Sequence, residues 1–395
     1  VLNIPQMALT GSRDWALPPS KSHMIRWLAL IAQGRNSCVL RFEGDAGADV
    51  ESMARCLESM GVRVHRQDDG WLVEPPENGL SAPTEVLDCG NSGTAARVLT
   101  AMAATMGVAV SLDGDNSLRA RRSGLPQVLR EMGVAVSSDG LPTTVEGSMS
   151  GGATVDLATS SQPLSALILA SPGLREAVEI HCEGEGVSRG YTGMTFDVSR
   201  RCGCPLEMSS PLILEPWSVQ APSEADIPPE LSLFPMAILL EILHEGLRLN
   251  TSLPAYDPLM LMAFDAIDRS GGGEVDLRDA SDIVTPAAVW MALTGGGTIT
   301  GIAHARGKES DRLARTVELL AAFGMSAEET EDGLIIEGEQ QPSKPNSPVD
   351  THLDHRLAMA AMVLASKVGG DIVGAEICDV THPGFIEQLL GLAQP

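Results

Sequence analysis

Lys308-Glu309-Ser310-Asp311-Arg312 opens a stretch running from Gly307 to Gly338; an amphipathic run from Leu313 to Phe323 follows, then Gly324-Met325, then Asp332-Gly333 and Leu334-Ile335-Ile336-Glu337. Apolar residues at helical spacing end in a glycine suited to a left-handed C-terminal position, and a short β-hairpin with an Asp-Gly turn comes next. The same grammar recurs from Asp49 to Glu74, with Glu51 to Met60 as the helix, Gly61 as its stop and Asp69-Gly70 as the turn. Leu118 to Gly147 repeats it with Gln127 to Met132, Gly133 and Asp139-Gly140. Ser188 to Glu215 is a looser copy whose helix is read as Phe196 to Cys202, and Tyr256 to Leu277 and Pro383 to Ala393 are weaker ones.

A second kind of helix alternates with these. Lys21 to Ala32, Asn91 to Met106, Ser160 to Ala170, Glu230 to Leu243, Asp282 to Leu293 and Asp354 to Ala365 are rich in Ala, Leu and Met and nearly free of charge past their first turn. Helices apolar on all sides are buried. The pattern predicts a unit of about 60 residues, one buried and one half-exposed helix on short strands, occurring six times.

A chain of 395 residues exceeds what one core usually supports, so two domains are expected. Hydrophobic content of 44% with 3% aromatic residues means cores of Ala, Val, Leu and Met. The formal charge of -25 argues against nucleic acid or an anionic membrane as partner. A small anion can still be held by local cations, because screening confines distant charge beyond about 8 Å. Seven scattered cysteines read as reduced thiols, Cys202-Gly203-Cys204 has no second pair at ligand spacing, and no metal or organic cofactor is expected. No apolar run reaches the ~18 residues of a membrane span, and no signal or transit segment opens the chain; a cytoplasmic protein is the expectation.

The chemistry lies at the openings of the buried helices. Ser20-Lys21-Ser22 with Arg26 places cations and hydroxyls at one helix start, where unpaired N–H groups and the dipole favour an anion. Asn91-Ser92-Gly93-Thr94 with Arg97 is a Gly-rich turn, Arg119-Ala120-Arg121-Arg122 a basic cluster, and Ser160-Ser161-Gln162 a polar opening; Ser188-Arg189-Gly190-Tyr191 follows. Asp282, Lys308-Glu309 with Arg312, and Asp354-His355-Arg356 complete the set. Each alone is explained by an ordinary cap, turn or solvated face. His352 and His355 with Asp350 and Asp354 lack a distant ligand for a metal. Taken together, ligand-type openings on apolar helices point to an anion trap, with Glu309 and Asp282 among its cations as acid-base candidates.

In order along the chain, these openings resemble those of the 5-enolpyruvylshikimate-3-phosphate synthase family. The resemblance implies an α/β fold of two similar domains, each of three βαβαββ units with buried parallel helices, sheets outside and the active site in the interdomain cleft. One domain would comprise residues 1–17 and 223–395, the other 18–222. It implies transfer of the enolpyruvyl group of phosphoenolpyruvate to shikimate 3-phosphate, with both small molecules as partners, no cofactor and a monomeric protein. By position, Lys21, Ser22, Arg26, Ser160, Ser161, Gln162, Ser188, Tyr191, Asp282 and Lys308 match the shikimate 3-phosphate set. Lys21, Asn91, Gly93, Arg121, Gln162, Arg312 and Arg356 match the phosphoenolpyruvate set, and Asp282, Glu309 and Lys21 the catalytic set.

Three positions depart from the family pattern. Arg122 replaces a Pro, His304 an Asn, and Val380 a Lys that binds phosphoenolpyruvate; His382, nearby, would be partly charged near neutrality. A transferase acting on another hydroxylated acceptor, or an idle relative that binds shikimate 3-phosphate without turnover, are the alternatives.

Overall fold

A computed structural model describes residues 1–207, 209–253 and 257–394; Tyr256, where one weaker copy was expected to begin, lies outside them. The chain forms two compact units, Val1–Pro18 with Pro229–Pro395, and Pro19–Pro228. Each has its own core, one built from residues between Met24 and Ile227, the other from Ile4 to Leu17 and Leu231 to Leu392.

Six helices supply the centres of these cores: α1 (Lys21–Ala32), α2 (Gly93–Met106) and α3 (Gln162–Ala170) in one unit, α4 (Phe234–Leu243), α5 (Val284–Leu293) and α6 (His355–Val368) in the other. Within each unit the three pack against one another. Every residue of α5 is buried, as its almost wholly apolar sequence requires, and its one polar side chain, Thr285, bonds the Thr316 hydroxyl at 2.8 Å. Helices Ala48–Ser59, Leu125–Glu131, Arg189–Arg201, Pro258–Arg269, Arg312–Ala322 and Phe385–Gly391 alternate with them and bury one face each.

The strands form six small sheets among the described residues, and three of these share one topology. In the sheet of Cys38–Arg41, Glu224–Asp226 is parallel to that strand, Gly70–Glu74 antiparallel to it, and Arg63–Gln67 antiparallel to Gly70–Glu74. Val110–Asp113 and Gly297–Thr300 are the corresponding centres of the other two. The Asp-Gly turns are structurally demanded. A Cβ on Gly70 would stand 2.0 Å from the Leu40 carbonyl oxygen, and one on Gly333 would stand 1.8 Å from that of Ile299. Gly61, Gly133, Gly203 and Gly324, which stop the half-exposed helices, all have positive φ.

The other three sheets are shorter than six equal copies predict. Gly152–Asp156, Val178–Glu183 and Leu212–Leu214 form three strands; the segment before the last contains Pro205 and Pro211, which cannot donate to a ladder. Among the described residues Gly11–Asp14 pairs with Leu247–Asn250 alone, and Leu2–Ile4 runs antiparallel to Gly370–Val373, itself parallel to Val349–Asp350. Three helix readings are also corrected. The helix read as Phe196 to Cys202 begins seven residues earlier, at Arg189. Glu230 and Asp282 precede their α-helices, in turns that are 3-10 helical over Leu231–Leu233 and Ser281–Ile283.

Candidate active site

In the unit of residues 229–395, the opening stretch of the sequence folds into a buried ion-pair array. Lys308 Nζ donates to Asp282 Oδ1 at 2.7 Å and an Arg312 terminal nitrogen donates to the same oxygen at 2.8 Å. The other terminal nitrogen of Arg312 donates to Glu309, three residues back in the bend before the helix Arg312–Ala322, and its Nε donates to Asp354 Oδ2 at 2.9 Å. Ser310 Oγ donates to the same Asp354 oxygen at 3.0 Å, while Asp354 Oδ1 accepts the Arg356 N–H at 2.9 Å and so caps α6. The Arg312 side chain is 1% exposed, whereas Lys308, Glu309 and Asp282 keep 19%, 16% and 18%. The carboxylates and ammonium thus reach the surface on a fixed buried guanidinium.

The electrostatics follow from this packing. Burial alone would raise the Asp282 carboxyl, but Lys308, Arg312 and Arg356 outweigh it and hold the group well below the usual carboxylate range. Burial lowers the Lys308 ammonium against the opposing pull of Asp282. His304, in the position of the family's Asn, bonds Ser281 Oγ at 2.8 Å; burial and the Lys308 charge lower it to about 4, so the ring is neutral at pH 7.

In the unit of residues 19–228, α1 opens without a side-chain cap. The hydroxyl of Ser20 lies 3.2 Å from His23 Nδ1 instead of capping the helix. Lys21 Nζ donates to Asp49 Oδ2 at 2.8 Å, and Asp49 Oδ1 is buried with no hydrogen-bond partner among the described residues. Arg26, 2% exposed, donates to Thr195 Oγ1 at 2.8 Å and to the Ser22 and Tyr191 carbonyls at 2.8 and 3.1 Å, tying three expected site residues together. Ser188 adopts φ 53 at the head of Arg189–Arg201, a left-handed conformation that costs a non-glycine residue about 1 kcal/mol or more.

Arg121 donates to the Asn91 carbonyl at 3.0 Å, to Asn91 Oδ1 at 2.6 Å and to Ser117 Oγ at 2.9 Å. Asn91 Nδ2 in turn donates to Asp115 at 2.8 Å. A Cβ on Gly93 would come 2.4 Å from an Arg97 guanidinium nitrogen and at an ordinary 3.5 Å from one of Arg121, so glycine is what lets the Arg97 cation lie over the start of α2 beside Arg121. Ser160 Oγ accepts the Gln162 N–H at 3.1 Å; Ser161 is buried, and Gln162 Oε1 is buried with no hydrogen-bond partner among the described residues.

The structure therefore gathers Asp282, Lys308, Glu309 and Arg312 into one array, links Ser22, Arg26 and Tyr191, and joins Asn91, Gly93 and Arg121. Arg356 sits two residues beyond the Asp354 hub, paired with Ser232. Asp49, Thr195 and Ser232 hold these groups and were given no role from sequence, while Asp354, read there only as part of a helix opening, is the hub of the array. His382 is corrected: it is buried, burial lowers it to about 4, and it is neutral rather than partly charged near pH 7. Val380, which the resemblance sets against a family Lys, is buried as well. Among the described residues, no group of three or more His, Cys, Asp or Glu is arranged to hold a metal, and no helix is long and apolar enough to cross a membrane.

Comparison with known proteins agrees along the chain. A family model described as EPSP synthase (3-phosphoshikimate 1-carboxyvinyltransferase) matches residues 12–233 and 264–389. The 3-phosphoshikimate 1-carboxyvinyltransferase of Methanothermobacter thermautotrophicus is 33% identical over 401 residues, covering 94% of each chain. Among solved structures, EPSP synthase from Acinetobacter baumannii superposes with a TM-score of 0.74 at 21% identity, covering 98% of this chain and 96% of that one. The enolpyruvyl transferase NikO from Streptomyces tendae gives 0.71 at 15% identity over 99% and 96%. At these identities the two structures speak to the fold.

Proposed function

The chain belongs to the EPSP synthase family, and from that premise we infer that it transfers the enolpyruvyl group of phosphoenolpyruvate to the 5-hydroxyl of shikimate 3-phosphate, releasing phosphate, in aromatic amino acid biosynthesis. Its substrates are small molecules. The observation that carries the reading is the array in which two carboxylates, Asp282 and Glu309, share the buried Arg312.

The proposed division of labour follows the chemistry of each group. Lys21, Ser22, Arg26, Ser160, Ser161, Gln162, Ser188 and Tyr191 bind shikimate 3-phosphate, and Lys308 sits by the reacting hydroxyl through its bond to Asp282. Lys21, Asn91, Gly93, Arg121, Gln162, Arg312 and Arg356 bind phosphoenolpyruvate, a trianion that needs several cations. In the addition step the hydroxyl oxygen bonds to C2 of phosphoenolpyruvate, its proton passes to Asp282, and Glu309 delivers a proton to C3. In the elimination step the C2–phosphate oxygen bond breaks, phosphate leaves, and a C3 proton returns to Glu309.

Asp282 is a weak base while its three cations are unopposed. Phosphate and carboxylate charges beside Arg312 and Arg356 offset those cations, raising the proton affinity of Asp282 when substrate is bound. The same cations stabilise the negative charge on departing phosphate. The test is phosphate release from the two substrates, with the organic product identified by mass. Release that requires both substrates supports the reading; release independent of shikimate 3-phosphate overturns it.

A further inference from the structure

The turn before α4 carries a polar cluster that the reaction scheme above leaves without a role. Glu230 and Ser232 are 5% and 2% exposed, in a run that is otherwise Pro, Leu and Phe from Pro228 to Pro235. Ser232 Oγ donates to Glu230 Oε1 at 2.5 Å. Arg356, 2% exposed at the start of α6, donates one terminal nitrogen to the Ser232 carbonyl and the other to Ser232 Oγ, each at 2.7 Å.

The directions of these bonds matter. Because the Ser232 hydroxyl gives its proton to a carboxylate, its lone pairs face Arg356, and serine becomes an acceptor fixed in orientation. Two parallel bonds from one guanidinium to one residue set the plane of the guanidinium, as a fork-shaped donor requires. Arg356 Nε is left buried with no hydrogen-bond partner among the described residues, an unmet donor whose cost is recovered only when an acceptor arrives. Asp354 fixes the other end of the same residue through the Arg356 N–H.

We propose that Glu230 and Ser232 are positioning residues that hold the Arg356 guanidinium in the orientation that receives the anionic groups of phosphoenolpyruvate. The proposal rests on the reading of Arg356 as a phosphoenolpyruvate cation. Pre-orientation removes the cost of ordering a long side chain at the moment of binding, so its loss is felt in affinity for that substrate.

The experiment measures steady-state constants for both substrates in the full chain carrying Ser232→Ala, Ser232→Thr, Glu230→Gln or Arg356→Gln. Ser232→Ala is expected to raise KM for phosphoenolpyruvate about tenfold, the scale of one hydrogen bond to a charged group, with kcat and KM for shikimate 3-phosphate within about twofold. Ser232→Thr, which keeps the hydroxyl, restores the wild-type value, and Glu230→Gln raises KM by about threefold because a neutral amide anchors the serine less firmly. Wild-type constants in Ser232→Ala, or equal loss toward both substrates without rescue by Thr, overturn the proposal; Glu230→Gln provides the reading if Ser232→Ala does not fold. Arg356→Gln separates the two levels. If it leaves KM for phosphoenolpyruvate unchanged, the assignment of Arg356 itself fails; if it abolishes saturation while Ser232→Ala is silent, only the positioning role fails.

Discussion

Arg312 meets Asp354 through two contacts, Nε to Oδ2 at 2.9 Å and a terminal nitrogen to Oδ1 at 3.3 Å, with their side chains 1% and 0% exposed. A charge so enclosed cannot be left alone. Asp354→Ala is expected to cost about 3–5 kcal/mol, because it leaves the buried Arg312 Nε without its acceptor, reduces the charge that balances Arg312 to Asp282 and Glu309, and also removes the cap of α6. Denaturant unfolding of the two proteins measures it, and a loss below about 1 kcal/mol would contradict the buried-pair account.

Glu309 is tied to Arg312 but lies at the edge of the array, so its replacement leaves the fold intact. Glu309→Gln is expected to lower kcat by about 10²–10⁴, the usual contribution of a positioned acid-base group, while shikimate 3-phosphate still binds. Calorimetric binding beside the phosphate-release assay separates the two effects.

Gly93→Ala places a methyl group on Arg97 and close to Arg121. The guanidinium of Arg97 must swing away and crowd the start of α2, so KM for phosphoenolpyruvate should rise severalfold with a smaller change for shikimate 3-phosphate. Parallel saturation curves for the two substrates decide it.

His382 sits in an aromatic niche, edge-on to Trp15 at 6.4 Å and Phe385 at 5.3 Å between ring centroids, and burial lowers it to about 4. Its unfolded counterpart takes up a proton near pH 6.5 while the folded one does not, so the stability it contributes is present above pH 6.5 and lost as pH falls toward 4. The full effect is about 3 kcal/mol. His382→Phe should flatten that part of the stability profile, and the wild-type KM for phosphoenolpyruvate should show no His382 inflection between pH 6 and 8. A retained slope in the variant would assign the effect to another group, with His304 the first to examine, since it too is lowered to about 4.

The acid limb below that range belongs partly to Asp282. Its carboxyl is held far down in the folded chain, so its stabilising contribution is present above about pH 4 and disappears as pH falls toward the folded value. Asp282→Asn should be less stable than wild type at pH 7 and lose less on acidification. Urea midpoints at pH 7 and pH 3 test the sign.

Much of this was legible in the chain because the repeat is written in local chemistry. A glycine past Met60, Met132 and Phe323 and an Asp-Gly turn after it specify a helix stop and a hairpin without reference to distant residues. The helix openings were legible for the same reason, being short polar runs before apolar ones. What was hidden is set by distance. Asp49 reaches Lys21 across 28 positions, Asp354 reaches Arg312 across 42 and Ser232 reaches Arg356 across 124, and no local spacing encodes such pairs. The missing strands were hidden because a hairpin-like sequence does not tell whether a neighbouring edge is present, and the neutral state of His382 because burial is a property of the fold.

Leu2–Ile4 zips onto Gly370–Ile372, joining segments that stand 368 positions apart at Asn3 and Asp371 in one ladder. During ribosomal synthesis, at about 5–20 residues per second, residues 19–228 are all available to fold while the strand at 2–4 still waits many seconds for its mate. The unit holding Asp282, Glu309 and Arg312 is therefore the late one to mature, closed by this ladder and by the Ala16–Gln388 hydrogen bonds across 372 positions. A nascent chain arrested before residue 370 would carry a finished residue 19–228 unit beside an unsealed one, and would depend on chaperones to keep that first strand from an unintended partner.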